Sequence, residues 1–303
     1  MSRLRRRRRR RLSALALLPL AATTATAGVA LAATEAAIAP SAEISADRGV
    51  VRYGKAVRLS GTVPGGPAAG VRISFRREGS DRWRDSRGTR TDESGSYSTR
   101  VKPPASGYFR AHAEGGQPSS EVPVRVRSVT KVRVKRHIVV GDRVKVSGRV
   151  RPASAGRRVE VKLRGRDKSV RTRSGGRFKR SWKPRSTGNG KVRAVARGDR
   201  LAAGSRSRAR KVTVYRPASA SWYGPGFYGN RTACGQTLTP STLGVANKSM
   251  PCGTKLTLRH GNRSVRVKVI DRGPFAGNRE FDLTGATKNR LNFGSTGTVL
   301  SSR

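Results

Sequence analysis

The sequence predicts an all-β protein assembled from small domains, and three observations carry that prediction. Short runs alternate apolar and polar residues, as in VRLSGTV from Val57 and VKVSGRV from Val144, the pattern of a strand with one face on a core. Clusters of Gly, Pro, Ser and Asp interrupt these runs at intervals of roughly 8 to 12 residues. A stretch of about 87 residues then occurs twice, a length suited to a β-sandwich in tandem. Composition agrees. The 303 residues are 35% apolar and only 5% aromatic, so each domain can bury a modest core and no more.

The chain starts with a basic segment, MSRLRRRRRRR, followed by the mostly apolar run LSALALLPLAATTATAGVALAAT. This is the layout of a secretory signal, here residues 1–33, with cleavage expected near Ala32 or Ala33 after the Ala-Leu-Ala stretch. The alternative is a retained anchor, because the run approaches spanning length. Its Thr and Pro content and small-residue end favour cleavage. The Arg-Arg-x-Leu element is equally compatible with twin-arginine and with ordinary export. The membrane is thus a partner only transiently, through the signal, and the expected location is secreted or cell wall.

Charge narrows the partners. There are 66 Lys and Arg against 17 Asp and Glu, a formal net charge of +49. Loss of the signal removes eight arginines and no acid, leaving +41. An exported chain this basic suits an anionic polymer or a membrane surface outside the cell, and nucleic acid inside one is not an expected partner. The alternative reading of part of the excess is a codon bias toward arginine.

The repeat aligns Gly54 with Gly141, Ser60-Gly61 with Ser147-Gly148, and Ala69-Gly70 with Ala155-Gly156. SGSYSTR then echoes SGGRFKR, and GYFRA echoes GKVRA. Two immunoglobulin-like β-sandwiches are expected, over 41–128 and 129–215. Neither carries a nucleophile–base pair or a repeated pair of carboxylates. Asp81, Asp85, Asp92 and Glu93 crowd the first repeat alone and read as solvated loop rather than a calcium site. The second repeat is densely basic, so outward Lys and Arg would give a charged sheet face. Such a face can hold phosphate or carboxylate polymers, or can simply be a well-solvated surface.

A third domain is expected over 217–303. Its only cysteines, Cys234 and Cys252, most simply form one disulfide in an exported chain. The three histidines, His112, His137 and His260, stand at no ligand spacing from them, so no metal and no cofactor is expected. LTLRHGNRSVRVKVI reads as a hairpin about a Gly-Asn turn, with Leu256 and Leu258 facing Val265, Val267 and Val269 across the core. Counting on by two puts Asp271 on the inward side at the strand's end, where a carboxylate is costly unless paired or used. LTGATKNRLNF reads as one short helix with Thr284 as N-cap.

The stretch from Ala220 resembles the rare lipoprotein A (RlpA)-like double-psi β-barrel, related in outline to expansins. The resemblance rests on Ala220-Ser221-Trp222-Tyr223-Gly224, Thr232-Ala233 with Gly235, Pro251-Cys252-Gly253-Thr254, Asp271-Arg272-Gly273-Pro274-Phe275 and Phe281-Asp282-Leu283, in family order. The predicted architecture is therefore two sandwiches followed by a six-stranded double-psi β-barrel.

That resemblance implies a glycan-directed protein. RlpA-like members include peptidoglycan lytic transglycosylases (lyases), which can work with a single acid, whereas expansin relatives loosen polysaccharide without cleaving it. Asp271 is the candidate acid, with binding of a backbone turn, or pairing to Arg272 or Arg279, as its structural alternative. Asp282 reads as structural and Glu280 as solvent-facing. Tyr223, Tyr228, Gln236, Asn247 and Arg272 are the candidate substrate contacts, the two tyrosines offering a ring and a hydroxyl at the wet end. Trp222 and Phe275 read as plugs for the barrel's ends. The resemblance also implies a Glu near Gln236 and a His near Asn247 in active members. Here both are neutral amides, which hydrogen-bond but cannot shuttle a proton. The expected partners are peptidoglycan glycan strands and anionic wall polymers. Three readings stay open: a lytic transglycosylase, a noncatalytic expansin-like wall binder, and a barrel that binds another protein.

Overall fold

A computed structural model describes residues 41–64, 67–163 and 166–303. The segment read as an export signal lies outside the described residues. Apart from the helix Gly285–Leu291 and a single 3-10 turn, the described elements are strands, as the alternation predicts.

Each repeat forms two sheets around its own core. In the first, Ser45–Ala46, Val57–Thr62 and Ser96–Val101 face a sheet of Val50–Arg52, Val122–Arg127, Gly107–Ala113, Gly70–Arg77 and Trp83–Arg90. Leu59, Ile73, Phe109, Val124 and Val126 close the space between them. In the second, Val129–Arg133, Val144–Arg151 and Arg177–Trp182 form one sheet; Arg166–Arg171, Arg158–Leu163, Gly188–Ala196 and Arg210–Tyr223 form the other. Val146, Val161, Leu163, Phe178 and Val192 fill that core. Both repeats share one topological signature. The first strand pairs in the smaller sheet, then the chain crosses over and pairs in parallel with the last strand of the larger one.

The shared Ser-Gly pair now has a physical reason. Gly148 lies opposite Phe178, and a Cβ there would stand 2.2 Å from both the Phe178 ring and the Lys131 carbonyl. Gly61 lies opposite Tyr97 in the same way. The glycine lets the aromatic ring cross the strand into the core.

The two sandwiches are docked rather than strung on a linker. The turn around Asp199–Ala202 reaches from the second into the first, where Ala202 is fully buried in the first core. Backbone hydrogen bonds from Ser106 to Leu201 (2.8 Å), from Ala203 to Val126 (2.8 Å) and from Ser128 to Ala203 (3.0 Å) sew the turn in place. Of the acids that crowd the first repeat, Asp92 accepts from Ser94 and Ser96 in a tight turn, whereas Asp85 lies on the strand Trp83–Arg90, not in a loop, and accepts the Ser74 hydroxyl.

One strand joins the second sandwich to the C-terminal domain. Arg210–Tyr223 pairs with Gly188–Ala196 through its first half and with Gly297–Ser301 through its second. Tyr215 is fully buried where the strand passes between them, its hydroxyl 2.8 Å from His137 Nδ1. The last domain then closes into a ring of six strands. Arg210–Tyr223 runs parallel to Phe281–Thr284, which is antiparallel to Val245–Ala246. That short strand runs parallel to Arg263–Asp271, which forms a hairpin with Lys255–His260. Gly297–Ser301 then pairs with both Lys255–His260 and Arg210–Tyr223, closing the ring. Leu256, Leu258, Val265, Val267 and Val269 all face inward, as the alternation predicts. The helix runs Gly285–Leu291, and the Thr284 hydroxyl accepts the Thr287 N–H as its cap.

Candidate functional site

Asp271 is the last residue of Arg263–Asp271. The alternation that buries Val267 and Val269 carries it inward, and the strand's end leaves it half-exposed at the rim. Its Oδ1 accepts two backbone N–H groups, from Ala233 and from Arg272, each at 2.9 Å. Among the described residues Oδ2 accepts no hydrogen bond, and no ion pair involves Asp271. Arg272 turns away and donates to the carbonyls of Met250 (3.1 Å) and Asn247 (3.3 Å). Arg279 donates to the Ala276 carbonyl. Asp271 therefore pairs with neither arginine side chain, but its two backbone N–H partners are those of the other structural alternative, a carboxylate binding a backbone turn.

Gly273, at φ 122°, occupies a backbone region that disfavours any side chain. It turns the chain sharply after Arg272, and Phe275 ends 81% exposed. Phe275 is thus not a plug for the barrel, a correction whose cause is that turn. Trp222 does pack against the core, with Lys288 Nζ 4.2 Å above its ring.

Tyr223 departs from its expected placement in one respect. Its hydroxyl is buried, not at the wet end, and has no hydrogen-bond partner among the described residues. Burial raises its pKa far above the usual tyrosine value, and the adjacent Asp271 carboxylate adds to the rise. The two groups interact through space without meeting hydrogen-bond geometry. Phe227, 56% exposed, packs edge-on against Tyr223 at 6.1 Å between ring centres. Tyr228 is half-buried, its hydroxyl set against Gly224 and Gly285, where an added Cβ would come within 2.5 Å of it.

The loop carrying Ala233 is held by the Cys234–Cys252 disulfide, as expected from the cysteine count. The bridge spans 18 positions, and restricting a loop of that size stabilises a fold by about 3 kcal/mol through lost chain entropy. Converting both cysteines to Ser should cost about that much in a denaturant titration. It should also loosen the Ala233 N–H from Asp271. An unchanged midpoint would show that the loop is held by its hydrogen bonds alone.

The two amides behave differently. Asn247 is 4% exposed. Its Nδ2 donates to the Glu280 carbonyl (3.0 Å), and its Oδ1 accepts the N–H groups of Ser249 (3.1 Å) and Met250 (2.8 Å). Its backbone N–H reaches the Asp271 carbonyl at 3.1 Å. It ties three segments together beneath the rim. Gln236 is exposed, on the same loop as Ala233, and its backbone closes a turn with Thr232.

Glu280 is not free in solvent. Arg216 grips both of its oxygens, which raises the Arg216 pKa. Asp282 lies on a barrel strand and accepts the Ser221 hydroxyl, in keeping with a structural role. Among the described residues no three His, Cys, Asp or Glu side chains converge as a metal site.

Sequence reasoning missed the Ala233 N–H that holds Asp271. Backbone donors leave no side-chain signal, although the Thr232-Ala233 pair was part of the motif.

The closed six-stranded ring with a rim carboxylate is a double-psi β-barrel. Residues 216–300 match the family described as "Lytic transglycolase", and this C-terminal domain is RlpA-like. It is 43% identical over 82 residues to the endolytic peptidoglycan transglycosylase RlpA of Campylobacter jejuni, covering 26% of this chain and 30% of that protein. The probable endolytic peptidoglycan transglycosylase RlpA of Synechocystis is 43% identical over 81 residues, 26% of this chain and 25% of that one. The Neisseria meningitidis RlpA, also titled an endolytic peptidoglycan transglycosylase, is 37% identical over 83 residues, 27% of this chain and 35% of that one. The chain spans only about a quarter to a third of the length of these relatives, and both sandwiches lie outside the matched residues.

Proposed function

We propose that this is an exported cell-wall protein whose barrel acts on peptidoglycan glycan strands as a lytic transglycosylase with Asp271 as its single acid and base. The observation that carries this reading is the presentation of Asp271. One oxygen is fixed by two N–H donors, the other accepts no hydrogen bond among the described residues, and Phe227, packed on the neighbouring Tyr223, and Phe275, four positions after Asp271, are both exposed. The relatives' titles point to the same substrate class.

In the proposed reaction, the protonated Oδ2 gives its proton to the glycosidic oxygen as the C1–O bond breaks. The carboxylate then takes the proton of the sugar's own C6 hydroxyl, whose oxygen closes on C1 to leave a 1,6-anhydro ring. Atoms and charge balance without added water, so the second carboxylate of an ordinary glycosidase is not required. Tyr223, kept protonated by its raised pKa, supplies a neutral wall beside the acid. Among the candidate contacts, Gln236 and Tyr228 belong to the exposed loop that would meet sugar, whereas Asn247 and Arg272 position the rim from below.

A second reading has its own support. Gln236 and Asn247 cannot transfer protons, so the barrel would grip glycan without cutting it. In both readings residues 1–33 direct export, 41–128 and 129–215 are immunoglobulin-like modules, and their basic faces hold anionic wall polymer. The test is incubation of the purified protein with purified peptidoglycan, followed by mass spectrometry for 1,6-anhydro ends. Their appearance supports the enzyme. Their absence, with protein still pelleting with the wall, supports the binder. Protein that neither cleaves nor pellets overturns both.

Phe275 offers a separate check. Its ring is almost wholly exposed, so Phe275→Ala should leave the unfolding midpoint unchanged and weaken wall binding in high salt. A stacking contact of about 1 kcal/mol corresponds to roughly a fivefold rise in Kd. Unchanged binding would remove this ring from the glycan surface.

A further inference from the structure

The second sandwich carries a surface that the glycan chemistry does not use. The outward positions of its three-stranded sheet include six cations: Lys131 and Arg133 on Val129–Arg133, Lys145 and Arg149 on Val144–Arg151, and Arg177 and Lys179 on Arg177–Trp182. The register aligns them in rows. Arg149 lies directly opposite Lys131 on one side and Arg177 on the other, and Ser147 lies between Arg133 and Lys179. None of the three strands contains a carboxylate, and among the described residues none of the six cations is in an ion pair. Strands stand about 4.8 Å apart and alternate residues about 7 Å apart, so the positive charges form a tight lattice. Like charges directly opposite one another destabilise a sheet unless something neutralises them.

The first sandwich is a partial internal control. In the two rows that correspond to Arg149 and Ser147 it pairs Thr62 with Ser96 and Ser60 with Ser98, while the next row sets Arg58 opposite Arg100. The fold therefore accepts hydroxyls where the second sandwich has Arg149, Arg177 and Lys179. Protection of a sheet edge does not account for the cations either, because Arg149 is on the central strand.

We propose that this face is a docking surface for a linear polyanion with a phosphodiester backbone and no aromatic bases, such as a polyol phosphate. Guanidinium forks bind tetrahedral phosphate oxygens from more than one side, which suits donors abreast on three strands. The face bears Lys, Arg and Ser with no aromatic side chain, and Phe178 and Trp182 are turned into the core, so it lacks the stacking platforms that single-stranded nucleic acid uses. It also has no exposed large apolar side chain to enter a membrane. This deepens the anionic-polymer part of the proposed function and is independent of whether the barrel cleaves glycan.

The test measures binding of the purified protein to a synthetic poly(glycerol phosphate) at moderate salt. The variant Arg149→Thr/Arg177→Ser/Lys179→Ser places the first repeat's hydroxyls on the second. The control Arg263→Ser/Arg266→Ser/Lys268→Ser removes the same charge from exposed positions of the barrel strand Arg263–Asp271. With each exposed contact contributing modestly, the first triple should weaken binding about tenfold and the control less than about threefold. Arg149→Thr alone, checked by thermal unfolding, separates a lost contact from a lost fold and should cost about twofold. Equal losses in the two triples would overturn the proposal in favour of diffuse charge. Tighter binding to an oligothymidylate or to anionic phosphatidylglycerol vesicles of matched charge would overturn it in favour of another partner. A protein that binds no poly(glycerol phosphate) at all would overturn the polymer reading as a whole, leaving the peptidoglycan assay unaffected.

Discussion

Asp271→Asn should lower the release of 1,6-anhydro-ended glycan by about 10²–10⁴-fold, the range expected for general acid–base help. The substitution is close to isosteric. An asparagine carbonyl can still accept the N–H groups of Ala233 and Arg272 that Oδ1 accepts now, so the rim should keep its shape. What is lost is the proton, because an amide cannot donate one to a leaving oxygen and then recover it from the C6 hydroxyl. The unfolding midpoint and the fraction pelleting with the wall should therefore stay near wild type while products vanish. Wild-type activity that survives the substitution would remove Asp271 from the chemistry. Activity and wall binding lost together would assign it to holding the loop.

The architecture was legible where one physical rule acts alone. Strict alternation placed Leu256, Leu258 and the three valines of Arg263–Asp271 on the core, and carried the count to Asp271 at the rim. The Thr284 cap was legible because a hydroxyl just before a helix has few better uses than an orphan N–H. The less legible features were those set by turns and by distant segments. Phe275 looked like core by composition, but Gly273 turns the chain outward. Glu280 looked solvent-facing, yet Arg216 is 64 positions away in sequence and adjacent in space. Asn247 was read as a sugar contact from its chemistry. Its amide is engaged with three backbone groups that no sequence pattern names. The docking of the two sandwiches through Ala202 also escaped prediction, because alanine in a loop carries no signal of burial in another core.

That docking turn carries the other large expected effect: Asp199→Ala should destabilise the sandwiches by about 4 kcal/mol, within the range for stripping one partner from a buried ion pair. The Arg157 side chain is 1% exposed and Asp199 26%. Nε of Arg157 donates to Asp199 at 2.8 Å and Nη2 to the other oxygen, while Nη1 has no partner among the described residues. Without Asp199 the guanidinium would be a buried charge with no counterion. Asp199 also accepts the N–H groups of Leu201 and Ala202, so its loss would release the residue that plugs the first core. The pH dependence has a definite sign. Burial by itself raises the Asp199 pKa, but hydrogen bonding and charge from Arg157, with the two N–H donors, outweigh it and hold the carboxyl below the usual aspartate value. A depressed pKa means that this stabilisation is complete above the unfolded value near pH 3.9 and fades as pH falls through the folded one. Denaturant titrations should show the gap between wild type and variant constant from about pH 5 to 8 and narrowing below about pH 4. A gap that showed no narrowing as pH fell below about 4 would mean that the variant suffers from lost packing, not from an unpaired Arg157.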